Sequence, residues 1–352
     1  MSIPTAALWI GTYPATGTAP GTGEGVWSVG LGADGRFAGA ELAVRVAAPS
    51  FLALDPAGRT LLAVTETEPG TLSSFRVSDD GALALAASVA SGGTSPCHVV
   101  AAGTTPGSTT GTAAWVANYG DGVAAVATLG ADGALGEALT YPHAGSGPVT
   151  DRQQGPHAHF VHPWGDRVLV SDLGTDELRT YPLDGSGSGA VAAVLPPGTG
   201  PRHLVELADG TVLVAGELDC RLHVLVPAGP GRLEHVGSVA ITARTLPDGS
   251  AGYPSHVTVA GDLVHVGVRG PDVLAVLRVE DARGLRIENV ADVDLGSGAW
   301  PRHHAVLGGG ETVVVAAQGA DALVAVRLDL ASGVGEVTDR LALPAPACVL
   351  EA

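Results

Sequence analysis

Lysine is absent from this sequence; all 18 basic residues are arginines, set against 36 acidic ones for a formal net charge of −18. That balance excludes a nucleic-acid partner, because binding a phosphate backbone needs clustered cations that release counterions. Most of the arginines fit an arginine-rich composition. A handful can still be placed for bidentate recognition of anions, which suits guanidinium better than ammonium. Cysteine is scarce and odd in number, at Cys97, Cys220 and Cys348, which fits neither a secreted disulfide framework nor a metal-ligand spacing. Aromatic residues make up only 4% of the chain, which weighs against a broad protein-binding face. No apolar run is long enough to span a bilayer. Met1 leads almost directly into the apolar stretch Ala7-Leu-Trp-Ile10 with no basic or apolar leader, so the expected location is cytoplasmic. No Gly-x-Ser-x-Gly elbow occurs, which removes support for a serine nucleophile.

What the sequence has instead is a repeat. A proline opens an apolar strand at Pro49, Pro96, Pro156, Pro201, Pro254, Pro301 and Pro346, spaced by roughly 45 to 60 residues, the length of a four-stranded propeller blade. Each is followed by a turn, a second strand such as Thr60-Leu-Leu-Ala-Val or Thr211-Val-Leu-Val, and a third such as Glu177-Leu-Arg-Thr-Tyr. The strands are β-branched or continuously apolar between turn residues. After Pro346 there is room for one strand, while the N-terminus carries what the other repeats hold second and third, Ala7–Tyr13 and Gly25-Val-Trp-Ser-Val. The expected fold is an all-β, seven-bladed propeller forming a single domain over 1–352, with one blade built from both termini so that no sheet edge is left open.

In such a fold the residues after each proline and those ending each second strand converge on one mouth of the axial channel. The first set is Ser50, Cys97, His98, His157, Arg202, His203, Ser255, His256, Arg302 and His303; the second is Glu66, Asn118, Asp172, Glu217, Arg269 and Gln318. Asn118 comes late in its repeat because a Gly/Thr-rich insertion, Gly103–Gly111, precedes it. A convergent polar set in a concavity is a candidate site; the bland alternative is a hydrated channel. His98, His203, His256 and His303 recur at one repeat position, which favours packing or bridging between blades. His157-Ala-His159 could ligate a metal, but no third ligand stands at a recognisable spacing, so no metal or other cofactor is expected. Glu217, Arg202, Arg269 and Arg302 are the stronger candidates, since charges near an axis are costly unless paired or used.

Several segments together resemble the bacterial propeller-type 6-phosphogluconolactonase family, whose fungal relatives include carboxy-muconate cyclases. They include Ile10-Gly-Thr-Tyr13, Val116-Ala-Asn-Tyr-Gly120, Arg152-Gln-Gln-Gly-Pro-His-Ala-His159, Ser171-Asp-Leu-Gly-Thr-Asp176, Gly200-Pro-Arg-His203, Gly216-Glu-Leu218 and Arg269-Gly270. Where the family carries Asn before its Arg-Gly and Gln motifs, this sequence has Val268 and Ala317. The resemblance implies metal-free hydrolysis of 6-phospho-D-glucono-1,5-lactone in the pentose phosphate pathway. The active-site set proposed for the cyclase relatives, a His, two Arg and a Glu, falls by the resemblance on a His of the His157/His159 pair, Arg202, Glu217 and Arg269. Lactone opening needs an activated water and a held oxyanion. Glu217 or His157 would serve as base, and Arg202 and Arg269 would hold the oxyanion. Arg302 or Arg152 would clamp the phosphate, and Asn118, Gln318, His159 and His203 are candidate substrate binders. The expected partner is therefore a small phosphorylated lactone, bound by a monomer without membrane or nucleic acid. The alternatives are a muconate-lactonising enzyme and a non-catalytic binding propeller.

Overall fold

A computed structural model describes residues 6–13, 21–103, 112–246 and 248–352; most of the Gly/Thr-rich insertion, from 104 on, lies outside them. The described residues form seven antiparallel sheets of four strands, with a single short 3-10 turn, Gln318–Ala320, as their only helical element. The strands number β1–β28 in chain order. Six sheets are consecutive: β4–β7 over 49–90, β8–β11 over 96–142, β12–β15 over 158–194, β16–β19 over 201–240, β20–β23 over 253–294 and β24–β27 over 301–342. The seventh has the order β28-β1-β2-β3, joining 346–351 to strands within 6–45. This is the seven-bladed β-propeller, with the split blade expected from the sequence.

The chain forms two compact units. One contains 6–10, Ser28–Glu41 and Thr199–Glu351; the other contains 11–13, 21–27 and Leu42–Gly198 with Ala352. In each, apolar cores lie between neighbouring sheets. Leu213, Leu222 and Val224 pack with Val257, Val264 and Val266 in the first; Trp115, Ala117 and Val126 pack with Val161, Val168 and Val170 in the second. A second strand is therefore covered on both faces, which explains runs such as Thr60-Leu-Leu-Ala-Val-Thr65, buried at every position. The fourth strands are outermost, and Leu83–Ala90 is exposed or half-buried throughout.

Six of the first strands open with a β-bulge. The pairing register slips by one residue after Pro49, Pro96, Ala158, Pro201, Pro254 and Pro301. Bulges re-aim a side chain where a regular ladder would bury it. The residues so placed are Ser50, Cys97, His159, Arg202, Ser255 and Arg302. The strand entries are fixed by aspartates in left-handed conformation, which Asp tolerates better than most residues. Asp176, Asp272 and Asp321 have φ of 58°, 57° and 48°, and each accepts a backbone N–H from the segment leading to the next first strand: Gly198 (2.7 Å), Gly298 (2.7 Å) and Ala345 (2.7 Å) respectively.

One close approach is testable by itself. A Cβ on Gly174 would lie 1.9 Å from the Gly155 carbonyl oxygen, an overlap that only backbone movement can relieve. Gly174→Ala is expected to destabilise the protein by about 3 kcal/mol, read as a lowered midpoint in urea; an unchanged midpoint would show that this loop yields freely.

Candidate active site

The Thr199–Glu351 segment holds a buried charged trio. Arg202 is the bulged residue of Pro201–Glu206 (β16), Glu217 follows the end of Val212–Gly216 (β17), and Arg269 ends Leu263–Arg269 (β21). Their relative exposures are only 4%, 2% and 5%. Arg202 Nε lies 2.8 Å from Glu217 Oε2, and Arg269 Nη2 donates to the same oxygen at 2.7 Å. Backbone carbonyls take up further guanidinium N–H groups. Arg202 Nη1 donates to Ser255 O, and Arg269 donates to Tyr253 O (3.1 Å) and Pro254 O (3.2 Å). Two guanidiniums around one carboxylate give these three side chains a formal charge of +1, the polarity that suits an anionic or oxyanionic ligand. Nearby in the repeat, Arg302 Nε donates to Gln318 Oε1 at 2.7 Å, which ties those two expected binders together.

Beneath the trio runs a series of imidazoles. His203 and His256 face each other through their Nδ1 atoms at 2.7 Å, so one must donate and the other accept. His256 stacks on His303 with ring centroids 3.8 Å apart. His303 Nδ1 accepts the backbone N–H of Val349 (3.2 Å) on the neighbouring first strand, and His304 Nε2 meets Thr258 Oγ1 at 2.8 Å. Burial, reinforced by the Arg202 charge, pushes the His303 pKa down to about 3. Burial, and then the neighbouring His303 and His265, hold His304 well below the ordinary value. In the other unit His98 plays the same part. Its ring lies between Phe51 and Phe160, at 4.1 and 4.0 Å, and its Nδ1 accepts Val161 N–H at 3.2 Å. His98 and His303 thus tie one blade to the next, as their recurrence suggested.

The His157/His159 pair resolves on register. The strand Ala158–Trp164 starts with Ala158 paired to Asp172, as Pro201 pairs with Gly216 and Pro301 with Ala317. Ala158 therefore holds the place of the repeat proline, and Pro156 lies two residues upstream in the approach. His159, not His157, is the repeat equivalent of Arg202 and Arg302. It is buried, with Nδ1 3.8 Å from Cys97 Sγ. His157 is half-buried and its backbone N–H donates to Asp172 Oδ1 (2.8 Å). Its Nδ1 donates to Tyr119 O (2.7 Å), which fixes the tautomer, and its ring stacks on Tyr119 at 4.4 Å.

The same register moves Asn118 and Asp172. Both pair with the opening residue of a first strand, so their equivalents are Thr65, Gly216, Val268 and Ala317 rather than Glu66, Glu217, Arg269 and Gln318. A one-residue shift turns a side chain to the opposite face. Asn118 is fully buried, with its amide committed to Ser91 O, Val123 O and Ser91 Oγ. Asp172 accepts from His157, Gly174 and Thr175 N–H and meets His143 Nδ1 at 2.6 Å. Both are corner-forming residues. Tyr119 stands where Asn118 was expected, and its neighbour in the motif Asn-Tyr-Gly was the available signal. Glu66 is buried and accepts from the Tyr13 hydroxyl (2.9 Å). Arg152 sits half-buried in a loop pinned by Gln153, whose amide donates to Leu173 O (2.9 Å) and Asp176 Oδ1 (2.8 Å). Among the described residues no three His, Cys, Asp or Glu side chains converge as a metal site, and no helix is long and apolar enough to cross a membrane.

Comparison with known proteins agrees with this architecture. The family described as Lactonase, 7-bladed beta-propeller, matches residues 7–351. The 6-phosphogluconolactonase of Bacillus subtilis is 28% identical over 306 residues, covering 84% of this chain and 83% of that protein. The structure of a Pseudomonas aeruginosa periplasmic gluconolactonase superposes with a TM-score of 0.86 at 26% identity, covering 99% of each chain. A Bacteroides fragilis structure, at 23% identity and TM-score 0.83 over 99% of this chain and 98% of the other, shares the fold. A match running through all seven blades makes this chain a member of the seven-bladed β-propeller lactonase family.

Proposed function

We propose that the chain hydrolyses a six-membered sugar lactone, 6-phospho-D-glucono-1,5-lactone in the first instance, and that the Arg202–Glu217–Arg269 trio is the catalytic centre. The observation that carries this reading is one buried carboxylate shared by two guanidiniums. Glu217 acts as base. It takes a proton from water as the water oxygen bonds to the lactone carbonyl carbon, and the carbonyl π pair moves onto oxygen. Arg202 and Arg269 hold that oxyanion, an electrostatic contribution that depends on donors fixed before the charge develops. Collapse of the tetrahedral intermediate breaks the bond to the ring oxygen, which takes the proton back from Glu217. Both guanidiniums are held by backbone carbonyls as well as by Glu217, so they are oriented before substrate arrives. Arg302, anchored through Nε by Gln318, supplies the fork for the phosphate.

The test is opening of 6-phospho-D-glucono-1,5-lactone above its spontaneous rate by the purified protein, with EDTA present. Acceleration is expected. A folded, monodisperse sample that gives none would overturn the sugar-lactone reading, and turnover of a substituted muconate instead would assign the same trio to lactonisation.

A further inference from the structure

We propose that Trp300 is a substrate-binding residue, a stacking platform for the sugar ring of the lactone; this rests on the lactonase reading above. Trp300 immediately precedes Pro301 and has a left-handed backbone, φ 47°. The residues before Pro49, Pro96, Pro201 and Pro346 share that conformation, and they are Ala48, Ser95, Gly200 and Ala345. Blade geometry therefore asks for a small residue here, and a bulky side chain with positive φ is an outlier. The surroundings are built to hold it. Trp300 N–H donates to Asp272 Oδ1 (2.9 Å), and the other oxygen of that buried carboxylate accepts Gly298 N–H. Gly319 makes the room, since a Cβ there would come within 2.8 Å of Trp300 Cβ.

Trp300 is 37% exposed. Apart from Val334, in the loop before β27, the other exposed large apolar residues among those described, such as Leu85, Leu139 and Val194, lie on outer strands. Trp300 instead adjoins the charged trio. The Arg269 guanidinium carbon sits 5.5 Å over its ring, and the Tyr253 ring lies 6.2 Å away. Arg269 also donates through Nε to the Tyr253 backbone carbonyl, while its Nη2 pairs with Glu217. An aromatic ring offers apolar area with few rotatable bonds. The C–H face of a six-membered polyol lactone is the complementary surface, with its carbonyl directed at Arg269. The ligand class is thus a pyranose-type lactone, whose ring the platform grips independently of any phosphate.

The experiment compares the wild type, Trp300→Ala and Trp300→Phe. It measures kcat and KM for the lactone and, by calorimetry, the Kd of 1,5-anhydroglucitol 6-phosphate, which keeps the six-membered ring and cannot be hydrolysed, with thermal melts as the folding control. Trp300→Ala is expected to raise KM and Kd about tenfold with kcat changed less than threefold, and Trp300→Phe to recover most of the loss. KM and Kd within twofold of wild type in Trp300→Ala, with lactone turnover intact, would overturn the platform and leave the lactonase reading standing. A tenfold fall in kcat at unchanged KM would also overturn it, by making Trp300 a positioning residue for Arg269. Wild-type binding of 1,5-anhydroglucitol 6-phosphate without lactone turnover, weakened by Trp300→Ala, would keep the platform and remove the hydrolysis. A wild type that neither binds nor turns over removes both.

Discussion

Glu217→Gln is expected to lower kcat for the lactone by about 10²–10⁴-fold, the usual contribution of a positioned general base. The change keeps side-chain shape while removing the charge and the basic oxygen. Arg202→Ala and Arg269→Ala should each cost about 10²–10³-fold, the typical loss for one oxyanion donor. Because both guanidiniums meet the same Oε2, the three losses should be far from additive, with the double variants little worse than the worst single one. Stability must be read alongside. Breaking a buried pair leaves an uncompensated charge, at a cost of about 3–5 kcal/mol, so each variant needs a melt as well as a rate. Activity that falls only in proportion to the unfolded fraction would make the trio a structural clamp. If Glu217→Gln stays active while His157→Gln does not, the base role passes to His157, whose Nδ1 proton is already engaged by Tyr119 O.

The second large effect is on acid stability. His303 and His265 are held at about 3 and about 4, His303 by burial and the Arg202 charge and His265 by burial, and His304 lies well below its ordinary value. His162, in the other unit, is lowered by burial to about 4. In every case the folded pKa is depressed below the unfolded value near 6.5. The unfolded chain therefore binds protons first as pH falls, and stability is lost from about pH 6.5 downward until the folded pKa is reached. At pH 5 the cost is about 2 kcal/mol each for His303 and His265, a large share of a total of about 5–15 kcal/mol. Exposed carboxylates with lowered pKa, such as Asp248 and Asp329, add their losses only at more acid pH, so the histidines dominate the window from 6.5 to 4. Melting temperature measured from pH 7.5 to 5 should fall steeply, and the slope should flatten in His303→Gln, whose amide oxygen can still accept Val349 N–H. A flat profile would mean that water reaches these rings.

The propeller itself was readable because its signal is redundant. Seven prolines, continuous apolar second strands, and a lone strand at the C-terminus matched by the remainder of a blade at the N-terminus each carried the same answer. That Arg202, Glu217 and Arg269 would be engaged with one another or with a ligand was legible for a different reason: charges near the axis are costly unless paired or used. What the sequence concealed was register. Pro156 imitates the repeat proline, and only the Ala158–Asp172 pairing shows the two-residue offset that puts His159 in line with Arg202. Asn118 and Asp172 were displaced by a single residue, enough to reverse the face of a strand. Trp300 left no trace either, because its meaning lies in a positive φ that nothing in Gly-Ala-Trp-Pro announces.

The split blade has a consequence for how the molecule is made. Among the propeller's strands β1–β3 are translated first, yet their partner β28 is translated last. Until then the first-born sheet has an unpaired edge on the Ala6–Thr12 side, and the six intact blades can assemble without it. Pairing of such sequence-distant strands is slow, because chain closure must precede any contact that rewards it. Completing this blade thus requires the capture of a single hexapeptide, Pro346–Glu351, and a stalled or clipped chain would present that waiting edge to other nascent chains.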